Sequence, residues 1–160
     1  MPITYTVTFD DPMEIAADAG KMSGLEFLRR LKDQKARVPI GATLGFTLVE
    51  VSEGHAVFEA EAGPQTYNPI GGVQGGWYGS VLDAALGVCF HATLPAGVGY
   101  TTVEYKVNLI RPVTAETGKV RATGRIVHRG RRTAVTEARL EDAAGKLYAY
   151  ATATQLVLEG

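Results

Sequence analysis

Stretches in which apolar and polar positions alternate flank a long apolar run near the middle of the chain. Phe46 to Val51 and Ala56 to Ala62 read as two strands, joined through Ser52-Glu53-Gly54-His55 with Gly54 supplying the turn. The second strand puts Ala56, Phe58, Ala60 and Ala62 on one face and His55, Val57, Glu59 and Glu61 on the other. Tyr67-Asn68-Pro69-Ile70-Gly71-Gly72 is a loop of turn-formers leading into the apolar run, which reads as a helix stopping near Leu94-Pro95. Four long strands follow, over residues 99–113, 119–128, 132–141 and 146–158. In the first of them Val103, Tyr105, Val107 and Leu109 are expected on one face. Gly118, Gly130 and Gly145 stand at the turns, where a positive φ is cheapest. Ala149, Ala151 and Ala153 leave one face of the last strand low enough for a helix to lie close.

The first 22 residues carry little pattern, although Ile3-Thr4-Tyr5-Thr6-Val7-Thr8-Phe9 alternates briefly and suggests a loose edge strand. Ser23-Gly24-Leu25-Glu26 is a capping box, and Leu25, Leu28 and Leu31 mark one face of a helix that ends before Pro39. That helix is expected outside the main body or over its mouth. Two strands, one buried helix and four antiparallel strands describe an α+β fold, an antiparallel sheet wrapped around one long central helix. A doubly wound fold would need helices alternating with parallel strands. One domain over residues 1–160 is expected, with residues 1–40 as an N-terminal extension bearing the short helix.

Charge is spread unevenly. Between Ala62 and Val103 the single formally charged side chain is Asp83, where the average composition would place about nine. A carboxylate in an apolar helix is costly unless something satisfies it. It can be structural, capping a backbone or pairing with a buried arginine, or it can be chemical. The chemical reading starts from Gly75-Gly76 at the helix start, where bare amides favour developing negative charge. Ester or thioester hydrolysis needs donors aimed in that way at an oxyanion. Asp83 lies about 12 Å further along the helix, too far for one chain's amide and carboxylate to share a substrate. Two helices packed antiparallel about a two-fold axis would bring Asp83 of one subunit to Gly75 of the other, so a catalytic site here implies a dimer.

The totals exclude several other classes. A net charge of −1 gives no general attraction to nucleic acid or anionic membrane, and no membrane association is expected. One cysteine, Cys89, fits a reducing compartment and packs as a small apolar residue. Residues 1–10 lack the basic start and apolar core of a secretory signal, so a cytoplasmic location is expected. His55, His91 and His128 are far apart without ligand spacing, and no metal is expected. Trp77 and Tyr78 read as core, His91 as structural, and Tyr67 as a candidate wall of an acyl pocket. His128-Arg129-Gly130-Arg131-Arg132 forms a basic turn, either a solvated edge or a phosphate contact.

Asn68-Pro69, Gly75-Gly76 and Leu82-Asp83-Ala84-Ala85-Leu86-Gly87, with Thr101-Thr102-Val103-Glu104 downstream, resemble the central segment of the PaaI-like group of hotdog-fold acyl-CoA thioesterases. Val107-Asn108 and Arg111-Pro112 are similar too, and the match runs from about Leu44 to Leu158. The resemblance implies a hotdog fold and a homodimer or dimer of dimers hydrolysing acyl-CoA at the subunit interface, with coenzyme A entering only as part of the substrate. By position, Gly75 would polarise the thioester carbonyl and Asp83 would be the nucleophile or the general base. Asn68 would position the water or the carbonyl, and Thr102 would hold the water, with Thr101 its neighbour in the register. Gly130, Arg131 and Arg132 would meet the phosphates of coenzyme A. Where the family commonly shows histidine, this chain has Gln74, which can donate and accept but cannot titrate near neutrality. Retuned or weakened activity is the expectation. The rival reading is a non-catalytic acyl-CoA binding or sensing protein on the same scaffold, and a dehydratase is disfavoured for want of a histidine-bearing site.

Overall fold

A computed structural model describes residues 1–158. Four α-helices, α1 (Pro12–Ala16), α2 (Gly24–Asp33), α3 (Pro39–Leu44) and α4 (Gly75–His91), accompany six strands. The strands are β1 (Phe46–Ser52), β2 (His55–Ala60), β3 (Gly99–Leu109), β4 (Val120–Arg129), β5 (Thr133–Asp142) and β6 (Leu147–Leu158). All pairs are antiparallel and run in the order β1-β2-β4-β5-β6-β3. The sheet curls around α4, whose Val81, Leu82, Ala85, Leu86 and Cys89 are fully enclosed. This is the hotdog arrangement.

Small residues set how closely the helix lies. Ala122, Ala138, Ala149, Ala151 and Ala153 are buried beneath α4. At Gly124 a methyl group would collide with the Ala85 carbonyl, so only hydrogen fits between β4 and the helix. Trp77 and Tyr78 are core, as their sequence context suggested. Trp77 donates Nε1–H to the Leu44 carbonyl at 2.8 Å, and the Tyr78 hydroxyl accepts from the Val113 amide at 2.6 Å.

Three expectations change. Ile3–Phe9 forms no strand: it has no ladder partner, and β-propensity alone does not hold a lone segment. Tyr5 instead reaches the Ala42 carbonyl, and Asp10 pairs with Arg37 at 2.6 Å. Pro39, read as a boundary, begins α3. Proline suits the first helical position, and Gly45 at φ 77° closes the same helix. Gly118 and Gly145 have positive φ, but Gly130 does not, so the β4–β5 turn needs no left-handed residue.

The capping box of α2 forms as expected, with Ser23 and Glu26 exchanging hydrogen bonds at 3.0 and 3.3 Å. α2 lies on β1 and against the end of α4, where the Gly24 amide donates to the Leu94 carbonyl at 2.9 Å. Gly24 is itself a contact, since a methyl there would strike the His91 carbonyl. No helix among the described residues is long and apolar enough to cross a membrane.

Candidate active site

Asp83 is half-buried on α4 and opens into a cleft lined by Thr102, Val103, Glu104 and Tyr105 of β3. Burial holds its carboxyl above the usual carboxylate range, and the Thr102 hydroxyl, within hydrogen-bonding reach, pulls weakly the other way. No cation contributes to that balance, which removes the buried-arginine alternative. Glycines sit one turn before and one turn after the acid. A methyl at Gly79 would lie 3.2 Å from the Tyr105 hydroxyl, and one at Gly87 only 2.8 Å from the Tyr100 hydroxyl. The Gly79-Asp83-Gly87 stripe therefore lets β3 close on the helix and sets the acid between two tyrosines. Burial and the nearby Asp83 charge push the Tyr100 phenol up, so it remains neutral.

A β-bulge aims β3 at this point. Thr102 pairs with Gln155 and Glu104 with Thr154, so Val103 is the unpaired extra residue. Tyr100 and Thr102 face the helix before the bulge, and Tyr105, Val107 and Leu109 face it after. Simple alternation from Val103 would have put Tyr100 and Thr102 on the opposite face from Tyr105, and the inserted residue brings them to the same side. The bulge also decides between the two threonines: Thr102 faces Asp83 and Thr101 is exposed.

Behind Thr102 lies a residue that the sequence reading missed. Gln155, fully buried on β6, accepts from the Thr102 hydroxyl at 2.9 Å. Its Nε2 donates to the Leu86 carbonyl at 3.4 Å and to Thr136 at 3.3 Å. A main-chain carbonyl can only accept, so the amide nitrogen must face Leu86 and the amide oxygen must face Thr102. A hydroxyl has one proton. With that proton committed to Gln155, Thr102 presents oxygen lone pairs to the cleft, and the Asp83 carboxylate gains no strong donor from it. A polar residue amid the alanines of β6 was the available signal.

The other candidates stand at the ends of α4. Gln74 is the N-cap, exposed, with no side-chain hydrogen bond to the helix. The Gly75 and Gly76 amides make no hydrogen bond among the described residues and remain open as donors. Asn68 Oδ1 accepts from the Ile70 and Gly72 amides at 3.1 and 2.9 Å, fixing the loop before the helix and leaving Nδ2 free of those bonds. Tyr67 is in that loop and lines neither the Asp83 cleft nor the larger cavity beneath α2. Gly130, Arg131 and Arg132 form the β4–β5 turn at the opposite end, both arginines exposed and outside any ion pair among the described residues. Arg129 there is pinned, its guanidinium 4.5 Å over the Phe90 ring and bonded to Thr93 at 3.0 Å. One chain thus brings Asp83 and Thr102 together but leaves Gly75 and Gln74 about two helical turns away, with Asn68 in the loop beyond them.

His91 packs between Phe27 and Tyr100, and burial lowers its pKa. Burial pushes the Cys89 thiol up to about 12, which makes it unreactive. No cluster of three or more metal-ligating side chains occurs among the described residues.

Comparison with known proteins gives this geometry a family. The thioesterase superfamily model matches residues 71–149, which include Gly75, Asp83 and Thr102. Among solved structures, a phenylacetic acid degradation-related protein from Ralstonia eutropha JMP134 is 32% identical, covering 81% of this chain and 98% of its own, with a TM-score of 0.71. A mutant of the phenylacetic acid degradation protein PaaI from Thermus thermophilus is 25% identical, covering 76% of this chain and 100% of its own, with a TM-score of 0.68. A Streptococcus mutans UA159 protein bound to acetyl CoA is 25% identical, covering 71% of this chain and 89% of its own, with a TM-score of 0.64. No match is found among curated proteins. With an acid-bearing central helix, a bare-amide helix start and these relatives, the chain belongs to the hotdog-fold thioesterase superfamily, in its PaaI-like group.

Proposed function

We propose that the protein is a cytoplasmic acyl-CoA thioesterase, a homodimer or dimer of dimers with its active sites between subunits. The observation that carries this is the half-buried Asp83, without a cation and open to a cleft it shares with Thr102. A water there donates one hydrogen to the Thr102 oxygen and the other to Asp83. The carboxylate takes the proton as the water oxygen attacks the thioester carbonyl. The Gly75 amide of the partner subunit stabilises the oxyanion. The C–S bond then breaks, and the proton passes from Asp83 to the departing thiolate. Direct attack by Asp83, giving an anhydride that water opens, uses the same residues.

The edge of β3 supports the dimer. Val103, Tyr105 and Leu109 are 53%, 46% and 55% exposed along an eleven-residue strand with one free edge. Pairing that edge with its own copy covers these side chains and sets the two central helices antiparallel. Asn68 Nδ2 is then available to the carbonyl, and Arg131 and Arg132 are free to meet the phosphates of coenzyme A. An acetyl CoA-bound relative is consistent with that ligand class.

Gln74 keeps the binding-only reading in contention, since it supplies no titratable group. Steady-state hydrolysis across short, long and aromatic acyl-CoAs separates the two. Turnover that falls at least a hundredfold in Asp83→Asn supports the thioesterase. Undiminished turnover in that variant removes Asp83 from catalysis, and tight binding without turnover of any substrate favours the sensor.

A further inference from the structure

Between the N-terminal extension and the body lies an apolar chamber of about 770 Å³. Phe27, Leu28 and Leu31 of α2 roof it, Phe46 and Leu48 of β1 form one wall, and Ala84 and Val88 of α4 form its floor. Lys32, Lys35 and Arg37 stand around it, and such side chains can lay aliphatic stems along an apolar wall while their charges stay in water. Ala84 follows Asp83 directly, so their side chains diverge by about 100° around the helix. The chamber floor therefore begins at the residue next to the acid, and a thioester held at Asp83 stands beside it.

We infer that this chamber receives the acyl part of the substrate and selects medium to long aliphatic chains over acetyl and single-ring aromatic groups. The inference rests on the thioesterase reading and adds the substrate class. Size argues for it: an apolar cavity of about 150 Å³ suffices to hold a benzene-sized ring. A lone ring would leave most of this chamber unfilled, whereas each methylene added to a flexible chain covers more of the wall. Most of the chamber comes from residues 15–58, upstream of the family-matched segment at 71–149. Its dimensions therefore belong to this chain's extension more than to the shared catalytic helix.

The test measures binding of butanoyl- to hexadecanoyl-CoA, with acetyl- and phenylacetyl-CoA, to the full-length Asp83→Asn protein, and kcat/KM on the same panel with the unmodified enzyme. Affinity and kcat/KM should improve by up to about fourfold per added methylene until the chamber is full. Leu31→Trp in the roof should lower the dodecanoyl-to-butanoyl ratio of kcat/KM at least tenfold. Ile40→Trp, at an exposed position on the rim, should act in the same direction should the roof variant fail to fold. Affinity independent of chain length, or faster turnover of acetyl- or phenylacetyl-CoA than of decanoyl-CoA, overturns the chamber and leaves the thioesterase standing. Chain-length-dependent binding without hydrolysis keeps the chamber and overturns the thioesterase.

Discussion

Asp83 is held in a state that the fold itself disfavours. Its pKa is raised in the folded protein by burial, so stability is greatest with the group protonated and declines as pH rises through the unfolded and then the folded pKa. At neutral pH the charge is therefore a net cost, and Asp83→Asn should melt at the same or a higher temperature while losing activity. The acid limb of kcat/KM should lie above the ordinary aspartate value near ~3.9, and Asp83→Asn should abolish it. Gln155→Met tests the residue behind Thr102. Freed from its amide acceptor, the Thr102 proton turns to Asp83, the limb moves to lower pH and kcat falls as the base weakens. A lower melting temperature with an unmoved limb would reduce Gln155 to a packing role. Asp83 itself was legible, because a lone charge in an apolar run stands out in any sequence. Gln155 was harder to read: it continues the inward phase of Ala149, Ala151 and Ala153, but its partners Thr102, Thr136 and Leu86 lie on other elements.

Elements were legible where their pattern was local. α2 announced itself through Ser23 and Glu26, and β4, β5 and β6 begin and end within a residue or so of the expected bounds. The misses share a cause: Ile3–Phe9 had the alternation of a strand but no partner, and the bulge in β3 depends on what pairs with it. The pairing of a glycine on one element with backbone on another is similarly non-local. Gly124 on β4 and Ala85 on α4 are far apart in sequence, yet their contact fixes the helix-to-sheet distance. Gly124→Val should cost about 1–3 kcal/mol in chemical denaturation, as overpacking of a filled core does. A neutral result would mean that the helix can ride outward without loss, contrary to so close an approach.

At the scale of the whole molecule, the proposed site divides between two subunits, and that division is testable. Gly75→Pro removes the amide without breaking the helix, because proline suits its first position and Gln74 at ψ 137° already has the extended conformation that precedes proline. Alone it should cost about 10²–10³ in kcat. Mixed with Asp83→Asn chains, it should recover activity. Each mixed dimer then has one site with both lesions and one with neither, and random pairing gives about a quarter of wild-type turnover. No recovery would place amide and acid in one chain and dissolve the composite site. The argument for a dimer needs only the sequence, because a helix's rise is fixed and sets the distance from Gly75 to Asp83. The chamber could not, since its walls come from α2, α3, β1 and α4 and no single stretch carries its outline. That separation makes substrate range and bond-breaking chemistry heritable apart. Exchanging residues 12–45 with those of a relative should carry a chain-length preference across and leave the carboxylate, its threonine and the partner amide untouched.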